Sequence, residues 1–452
     1  MTLSRGTNMS VIEIPTHTSS TDFEWPMLED LPFRAMGASN MSWGGYNIDV
    51  GRMIRYRVGR VKEQLDRRGI GAILSLSEWN NQYVTGVVAP YWTTPSSGLR
   101  YALYCGTLDN AILYEQGEIG YHARSSCPWL HKVKVAITGA GWIGRTMGPH
   151  HAGEQTAKMV RQISQDMRDA GLDPAQAGLA IDTWDPDLFA AFEKAGVKLS
   201  MDGVQLMLEA RKIKSRDEVE CIRVACAIGE SEFEALRSGL RPGVRESELV
   251  GAMHKRCYEN GGRIYSGVFV ASGPGAWPNP RDETDRMIQP SDIVYSDVYN
   301  TSYMGYKICY YRTFSCGKAS EAAKDDYLRA REWLYNAIDL IKPGVTTREL
   351  AEQWPVAAEV WKDIHIFYED QTAGSNWGHG CGLTLYEPPI VWREASLNDP
   401  VPLEEGMTFA METQHGRPGK HGVRIEEMVH VTKNGVEVMS KWPVDTILEV
   451  PI

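Results

Sequence analysis

The chain has 452 residues, a formal net charge of −11, and 43% hydrophobic and 23% charged residues. That is the composition of an ordinary globular protein, long enough for two domains and a sizeable core. The acidic balance argues against nucleic-acid binding as the main task, because phosphate contacts need a basic face.

No apolar run reaches the roughly 18 residues of a bilayer span, and the beginning of the chain lacks the basic-then-apolar order of a signal peptide. The eight cysteines (Cys105, Cys127, Cys221, Cys226, Cys257, Cys309, Cys316 and Cys381) are scattered without a Cys-x-x-Cys pair. They read as reduced thiols of a cytoplasmic protein with no membrane partner. Residues 1–45 are rich in Ser, Thr, Pro, Met and Gly and predict an irregular arm. Its aromatics Phe23, Trp25, Phe33 and Trp43 suit docking onto the body or a second subunit.

Residues 46–210 predict an α/β domain, from alternating strand and helix patterns. Helices are expected over Met53–Arg68, His151–Ala170 and Pro186–Ala195. Strands are expected at Gly71–Leu76, Tyr101–Cys105, Asn110–Tyr114, Lys132–Ile137 and Gly178–Asp182. The long loop between Val88 and Tyr101 carries Tyr91, Trp92 and Arg100 and is a candidate functional loop.

Residues 211–452 form the second expected domain. Ser215 with Glu218 three residues on is a capping box that opens its first helix. The segment Arg241-Pro-Gly-Val-Arg-Glu-Ser-Glu-Leu249 is echoed by Lys342-Pro-Gly-Val-Thr-Thr-Arg-Glu-Leu350, and Gly243 and Gly344 lie 101 residues apart. That period is too long for a solenoid and suits two halves of one α+β domain related by a pseudo-twofold. Strands are expected at Gly267–Ala271 and Ile293–Asp297 after the first copy. After the second they are expected around His379, Glu412 and Glu426, with a hairpin turned at Asn434-Gly435.

The stretch from Trp377 to Glu427 concentrates the chemistry. Gly378 and Gly380 flank His379, so backbone or ligand can approach it closely. Glu412 and Glu426 each stand among apolar residues, where a carboxylate is costly unless it meets a cation or a donor. Two such carboxylates and a histidine predict a polar site at the centre of a sheet.

These motifs resemble those of the creatinase and aminopeptidase P family, the pita-bread enzymes. The resemblance covers roughly residues 50–450. It rests on Arg211-x-Ile-Lys-Ser, the two Pro-Gly-Val turns, Ile288-Gln-Pro-x-Asp-Ile-Val with Asp297, Tyr306 through Arg312-Thr-Phe, Gly378-His-Gly, Leu403 through Glu412, and Val423-Arg-Ile-Glu426. The layout is especially similar to creatinase and to the peptidase-like dimethylsulfoniopropionate lyases of that family.

The resemblance implies an α/β N-terminal domain, an α+β pita-bread catalytic domain, a homodimer and a small-molecule substrate. Metallopeptidases of the family hold two divalent ions on Asp, Asp, His, Glu and Glu. Carried over, these positions are Asp297, Cys309, His379, Glu412 and Glu426, so a thiol stands where the second, bridging aspartate belongs. The extra aspartate of the lyases falls on Tyr299, and the two further active-site histidines of the family fall near Trp277 and on Tyr386.

Two close divalent cations need bridging anions, so a dinuclear pair is not expected. Three readings stay open, in order of preference. The first has no metal, as in creatinase. The second has one divalent ion (Fe, Zn or Mn) on Asp297, His379, Glu412 and Glu426, with help from Cys309. The third is a non-catalytic binding relative. In the preferred reading His379 is the general acid/base, Glu412 and Glu426 orient substrate as base and acid, and Asp297 is an orienter. The expected substrate-binding residues are Trp92, Arg100, Trp277, Tyr311, Trp377 and Tyr386, which would suit a small cationic or zwitterionic compound. The expected activity is hydrolysis of a non-peptide C–N bond, in osmolyte or nitrogen-compound breakdown. A dimethylsulfoniopropionate-lyase-like reaction with one metal ion and an Xaa-Pro dipeptidase are the enzymatic alternatives.

Overall fold

The computed structural model describes residues 24–25, 48–88, 100–137, 142–264, 267–278 and 282–452. In the N-terminal half, strands β1 (Glu24–Trp25), β2 (Ala72–Ser75), β3 (Tyr101–Cys105), β4 (Ile112–Glu115), β5 (Lys132–Val135), β6 (Leu179–Ile181) and β7 (Leu199–Ser200) form one sheet. Its order is β1-β5-β4-β3-β2-β6-β7. β1 belongs to the arm and pairs antiparallel with Lys134 and Val133, closing that edge of the sheet; the remainder of the arm lies outside the described residues.

The helix Val50–Arg68 starts where Asp49 accepts the Arg52 N–H at 2.8 Å and stops at Gly69, which takes the left-handed conformation that glycine tolerates. It buries Met53, Ile54, Val58, Val61 and Leu65, an i, i+4 apolar stripe.

The second half begins at the capping box, with Ser215 N–H donating to Glu218 at 2.7 Å and Glu218 N–H to Ser215 at 3.3 Å. Its strands are β8 (Arg263–Ile264), β9 (Phe269–Ser272), β10 (Ile293–Asp297), β11 (Thr301–Tyr303), β12 (Tyr306–Lys307), β13 (Tyr311–Cys316), β14 (Asn376–Cys381), β15 (Leu385–Trp392), β16 (Thr408–Arg417), β17 (His421–Thr432), β18 (Gly435–Val438) and β19 (Leu448–Val450). They build a four-stranded sheet β19-β13-β10-β9, a five-stranded sheet β15-β14-β16-β17-β18 and a small sheet β12-β11-β8. The hairpin near Asn434 turns one residue earlier than expected, because Gly435 already pairs with Thr432.

The repeat is visible in the backbone. Gly243 N–H donates to Ile288 O at 2.8 Å, and Gly344 N–H to Leu403 O at 2.9 Å; Ile288 N–H returns to Val244 O at 2.8 Å, and Leu403 N–H to Val345 O at 2.7 Å. Both glycines have positive φ, 86° and 92°. The copies diverge afterwards, with a helix of 14 residues (Glu246–Glu259) after the first turn and one of five (Thr347–Ala351) after the second.

The two larger sheets meet along β13 and β17. Thr313 Oγ1 donates to Arg424 O at 2.7 Å and accepts the Arg424 N–H at 3.0 Å. Arg312, buried, donates to Glu426 O at 2.6 Å and to Glu427 Oε2 at 2.8 Å. Removing one partner of such a buried pair costs about 3–5 kcal/mol.

The N-terminal half grips this body through charge. Arg52 pairs with Asp217 at 2.7 Å, Arg57 with Glu218 at 3.1 Å, and Arg211 donates to Asn80 at 2.8 Å. Trp79 packs its ring against the Lys307 ammonium, 3.8 Å from the ring centroid, while Lys307 also donates to the Leu383 carbonyl.

Candidate active site

Side-chain direction follows from strand pairing. Directly paired residues share a face, as do residues two apart. His379 pairs with Ala410, Glu412 with Glu426, and Gln414 with Arg424, so His379, Glu412, Glu426 and Arg424 all project from one face of the five-stranded sheet. On the four-stranded sheet Asp297 pairs with Tyr311 and Phe269, and Tyr295 lies two residues before Asp297. Phe269, Tyr295 and Tyr311 form a buried aromatic cluster around that carboxyl.

The glycines beside His379 serve strand packing. A Cβ on Gly378 would lie 2.8 Å from Ala410 O, and one on Gly380 only 2.0 Å from Glu387 O. They let β14 run between β15 and β16 through irregular register.

The centre is buried: relative exposure is 2% for Asp297, 5% for Cys309, 1% for His379 and 0% for Glu426. His379 Nδ1 lies 3.3 Å from Gly380 O. A carbonyl only accepts, so Nδ1 carries the proton and Nε2 presents a lone pair. That lone pair faces Glu426 Oε1 across 3.7 Å, too far for a hydrogen bond. Neither Glu426 oxygen accepts a hydrogen bond of standard geometry, and the Cys309 thiol is a donor near it. Cys309 Sγ sits 3.6 and 3.7 Å from the two Asp297 oxygens.

Burial, reinforced by the Glu412 and Asp297 charges, pushes the Glu426 carboxyl well above the usual range. Burial also raises Asp297 to about 7, against the pull of the Tyr311 hydroxyl. Burial lowers His379, which stays neutral. Glu412 is held by Arg424, whose Nη2 donates to its Oε2 at 2.7 Å. The Arg424 guanidinium lies 4.3 Å from the Tyr311 ring centroid and 6.0 Å from that of Tyr295, and its Nε and Nη1 have no hydrogen-bond partner. Tyr386 stacks on His379 at 4.2 Å and 17°, with a φ of +62° that is strained for a tyrosine.

Of the expected substrate-binding residues, Tyr311 and Tyr386 lie at this centre. Three others are placed elsewhere. Trp377 stacks with Trp354 and Trp361 at 5.5 and 5.7 Å in the core, where the pairing of β14 with β15 shifts register between Asn376 and His379. Arg100 is taken by Glu115 inside the N-terminal sheet. Trp277 packs near His415, 6.4 Å between ring centroids, and against Gly416 and Gly422. Trp92 lies outside the described residues. Sequence reasoning missed Phe269 and Tyr295; the signal was the alternation Tyr295-x-Asp297, which sets an aromatic beside the aspartate.

The description "Metallopeptidase family M24" matches residues 220–433. An Xaa-Pro dipeptidase of Pyrococcus furiosus is 30% identical over 250 residues, spanning 55% of this chain and 69% of the dipeptidase. The chain belongs to the M24 family. Within it, a dimethylsulfoniopropionate lyase of Roseovarius nubinhibens is 24% identical over 431 residues and 88% of both chains. The solved Xaa-Pro dipeptidase of Bacillus anthracis shares the fold, with a TM-score of 0.67 at 22% identity over 88% of this chain and 99% of that one. Among the described residues no helix is long and apolar enough to cross a membrane.

M24 membership raises the question of metal, and the donors answer it in part. Cys309, His379 and Glu426 offer ligand atoms all within 4.8 Å of one another. A neutral imidazole lone pair opposite an unpartnered buried carboxylate is an arrangement a cation would satisfy. The residues fit one ion. They do not fit the family's pair, because the bridging carboxylate is absent and Arg424 already neutralises Glu412.

Proposed function

We propose that this M24 protein is an enzyme that hydrolyses a C–N bond of a small zwitterionic or cationic compound at a centre built for one divalent ion. The observation that carries the reading is Glu426, wholly buried, with neither oxygen partnered and the His379 lone pair 3.7 Å away. His379 and Glu426 would hold the ion, with Asp297 and Cys309 beside them; when bound it supplies Lewis acidity and a water of lowered pKa.

The protein's own groups do the rest. Glu412, oriented by Arg424, takes a proton from the attacking water and returns it to the leaving nitrogen. Arg424 has two buried N–H groups without partners, a fit for a substrate carboxylate. Tyr311 already gives a face to Arg424 and Tyr386 a face to His379, which leaves their opposite faces for a substrate cation. Tyr386 covers one face of His379 and narrows the room for a bulky dipeptide. A cytoplasmic homodimer belongs to the same proposal.

The test is a product assay on purified protein with one equivalent of Zn2+, Mn2+ or Fe2+. The substrates are small amides and amidines of zwitterionic character, dimethylsulfoniopropionate, and Xaa-Pro dipeptides. Release of amine or ammonia from the first group alone is expected. Preferential cleavage of Xaa-Pro dipeptides overturns the proposal. Release of dimethyl sulfide favours the lyase reading, which draws on the relative matched over 88% of both chains and would use Glu412 to abstract a proton.

A further inference from the structure

Cys309 stands between the two sheets at the centre, in the loop that joins β12 to β13 and 12 residues after Asp297. Seven other cysteines are also buried and free, so burial alone does not single it out. Its neighbours do. The Sγ lies 3.6 and 3.7 Å from both Asp297 oxygens and within 4.8 Å of the ligand atoms of His379 and Glu426. Those neighbours include an unpartnered buried carboxylate and an imidazole nitrogen with a free lone pair.

We propose that Cys309 binds as a thiolate and, with His379 and Glu426, forms a three-donor site, with Asp297 beside the sulfur, selective for a thiophilic ion such as Zn2+, Fe2+ or Co2+. This rests on the one-ion reading above and adds the identity of the third donor and the class of metal.

Distances support it. Metal–ligand bonds of about 2.0–2.3 Å in tetrahedral geometry put ligand atoms about 3.3–3.7 Å apart. The His379 Nε2–Glu426 Oε1 separation is 3.7 Å, the ligand atoms of Cys309, His379 and Glu426 all lie within 4.8 Å of one another, and the sulfur lies 3.6 Å from Asp297 Oδ1. A carboxylate at this position would bridge two hard ions; one sulfur has a single donor atom in place of two oxygens and favours softer cations over Mg2+ and Mn2+. Glu412 is not needed in the set, since Arg424 neutralises it. Binding releases the thiol proton, so uptake of the ion is accompanied by acid release.

The experiment is Co2+ titration of full-length, chelator-treated protein followed by absorption spectroscopy. The expected result is one Co2+ per chain with a thiolate-to-cobalt charge-transfer band in the near ultraviolet. Cys309→Ser abolishes the band and weakens Zn2+ binding more than tenfold, while changing Mn2+ binding less than threefold. Cys309→Asp, a second variant that restores a carboxylate, also lacks the band and shifts preference towards Mn2+. Cys381, whose Sγ lies 3.7 Å from His379 Nδ1, is the control, and Cys381→Ser keeps the band. Circular dichroism of each ion-free variant confirms that it is folded.

One bound Co2+ without the band overturns Cys309 as ligand and leaves the one-ion reading standing. A band that survives Cys309→Ser does the same. No Co2+ bound overturns both, and two ions per chain overturn the one-ion reading along with the selectivity.

Discussion

On the outer face of the β16–β17 hairpin, Asp326 from the helix Glu321–Ile338 accepts from His421 Nε2 at 2.8 Å and from Arg417 Nε at 2.9 Å, and lies 3.3 Å from His415 Nδ1. On the inner face, Glu412, Glu426, Arg424 and His379 gather the same residue types. The outer carboxylate is saturated with donors. Burial alone would raise its carboxyl, but His415, His421 and Arg417 overcome that and hold it far below the usual carboxylate range. The inner Glu426 has no donor of standard geometry, and burial, outweighing the nearby Cys309 thiol, drives it the other way. Histidines and acids in proximity therefore do not define a site; an unmet bonding capacity does.

Substitutions can break that contrast. The largest effect is expected at Glu412→Gln, which keeps the shape and removes the base: kcat/KM falls by roughly 10²–10⁴-fold, and the melting temperature falls too, because buried Arg424 loses its counter-ion. Steady-state kinetics beside a thermal melt checks both halves. Glu426→Gln abolishes stoichiometric metal uptake in elemental analysis. In chelator-treated protein at pH 8 it raises the melting temperature, because a buried carboxylate without partners is costly.

Asp326→Asn acts oppositely. It lowers stability by about 2 kcal/mol, the scale of hydrogen bonds to a charged group, and leaves kcat/KM within about twofold by the additivity of distant sites. Urea denaturation reads the loss. Since the folded Asp326 pKa is depressed, its stabilisation is present above the unfolded value of about 3.9 and fades as pH falls below it. The gap between wild type and Asp326→Asn closes in acid.

The smallest effect tests a third buried carboxylate, Glu232, whose Oε1 accepts from Thr301 at 2.7 Å and which has the Cys257 thiol as a second, weaker donor. Burial raises it to about 8. A raised carboxyl is protonated in both states below about pH 4.3. It costs stability as pH climbs from there towards the folded value. Glu232→Gln is therefore neutral in melting temperature at pH 4 and gains a few degrees at pH 8. A gain at pH 4 as large as at pH 8 would falsify that assignment.

The sequence made the repeat, the capping box and the strands of the inner face legible, because turn chemistry and alternation are local. It predicted three strand segments carrying His379, Glu412 and Glu426 around a polar site at the centre of a sheet, and the pairing register puts the three on one face. Alternation does not say which element covers a face. Trp377 and Arg100 look exposed to ligand in sequence, yet the first is enclosed by Trp354 and Trp361 and the second by Glu115, partners far enough along the chain that no local pattern connects them. The same holds for His415 and His421, which meet Asp326 only because a helix from the first repeat's successor lies across the hairpin. Of the two close approaches that the glycines beside His379 allowed, by backbone or by ligand, the structure shows that of backbone, from Ala410 and Glu387.

Lys307 sits two residues before Cys309, and its ammonium rests on Trp79 from the other half of the molecule. Its backbone N–H also donates to Gly382 O at 2.7 Å. The segment that delivers the sulfur is thus anchored at both its side chain and its main chain, one anchor foreign to the pita-bread half. The centre is not a transplantable cassette. A chimera that exchanges the N-terminal domain keeps the alignment of Cys309 only if the tryptophan platform travels with it.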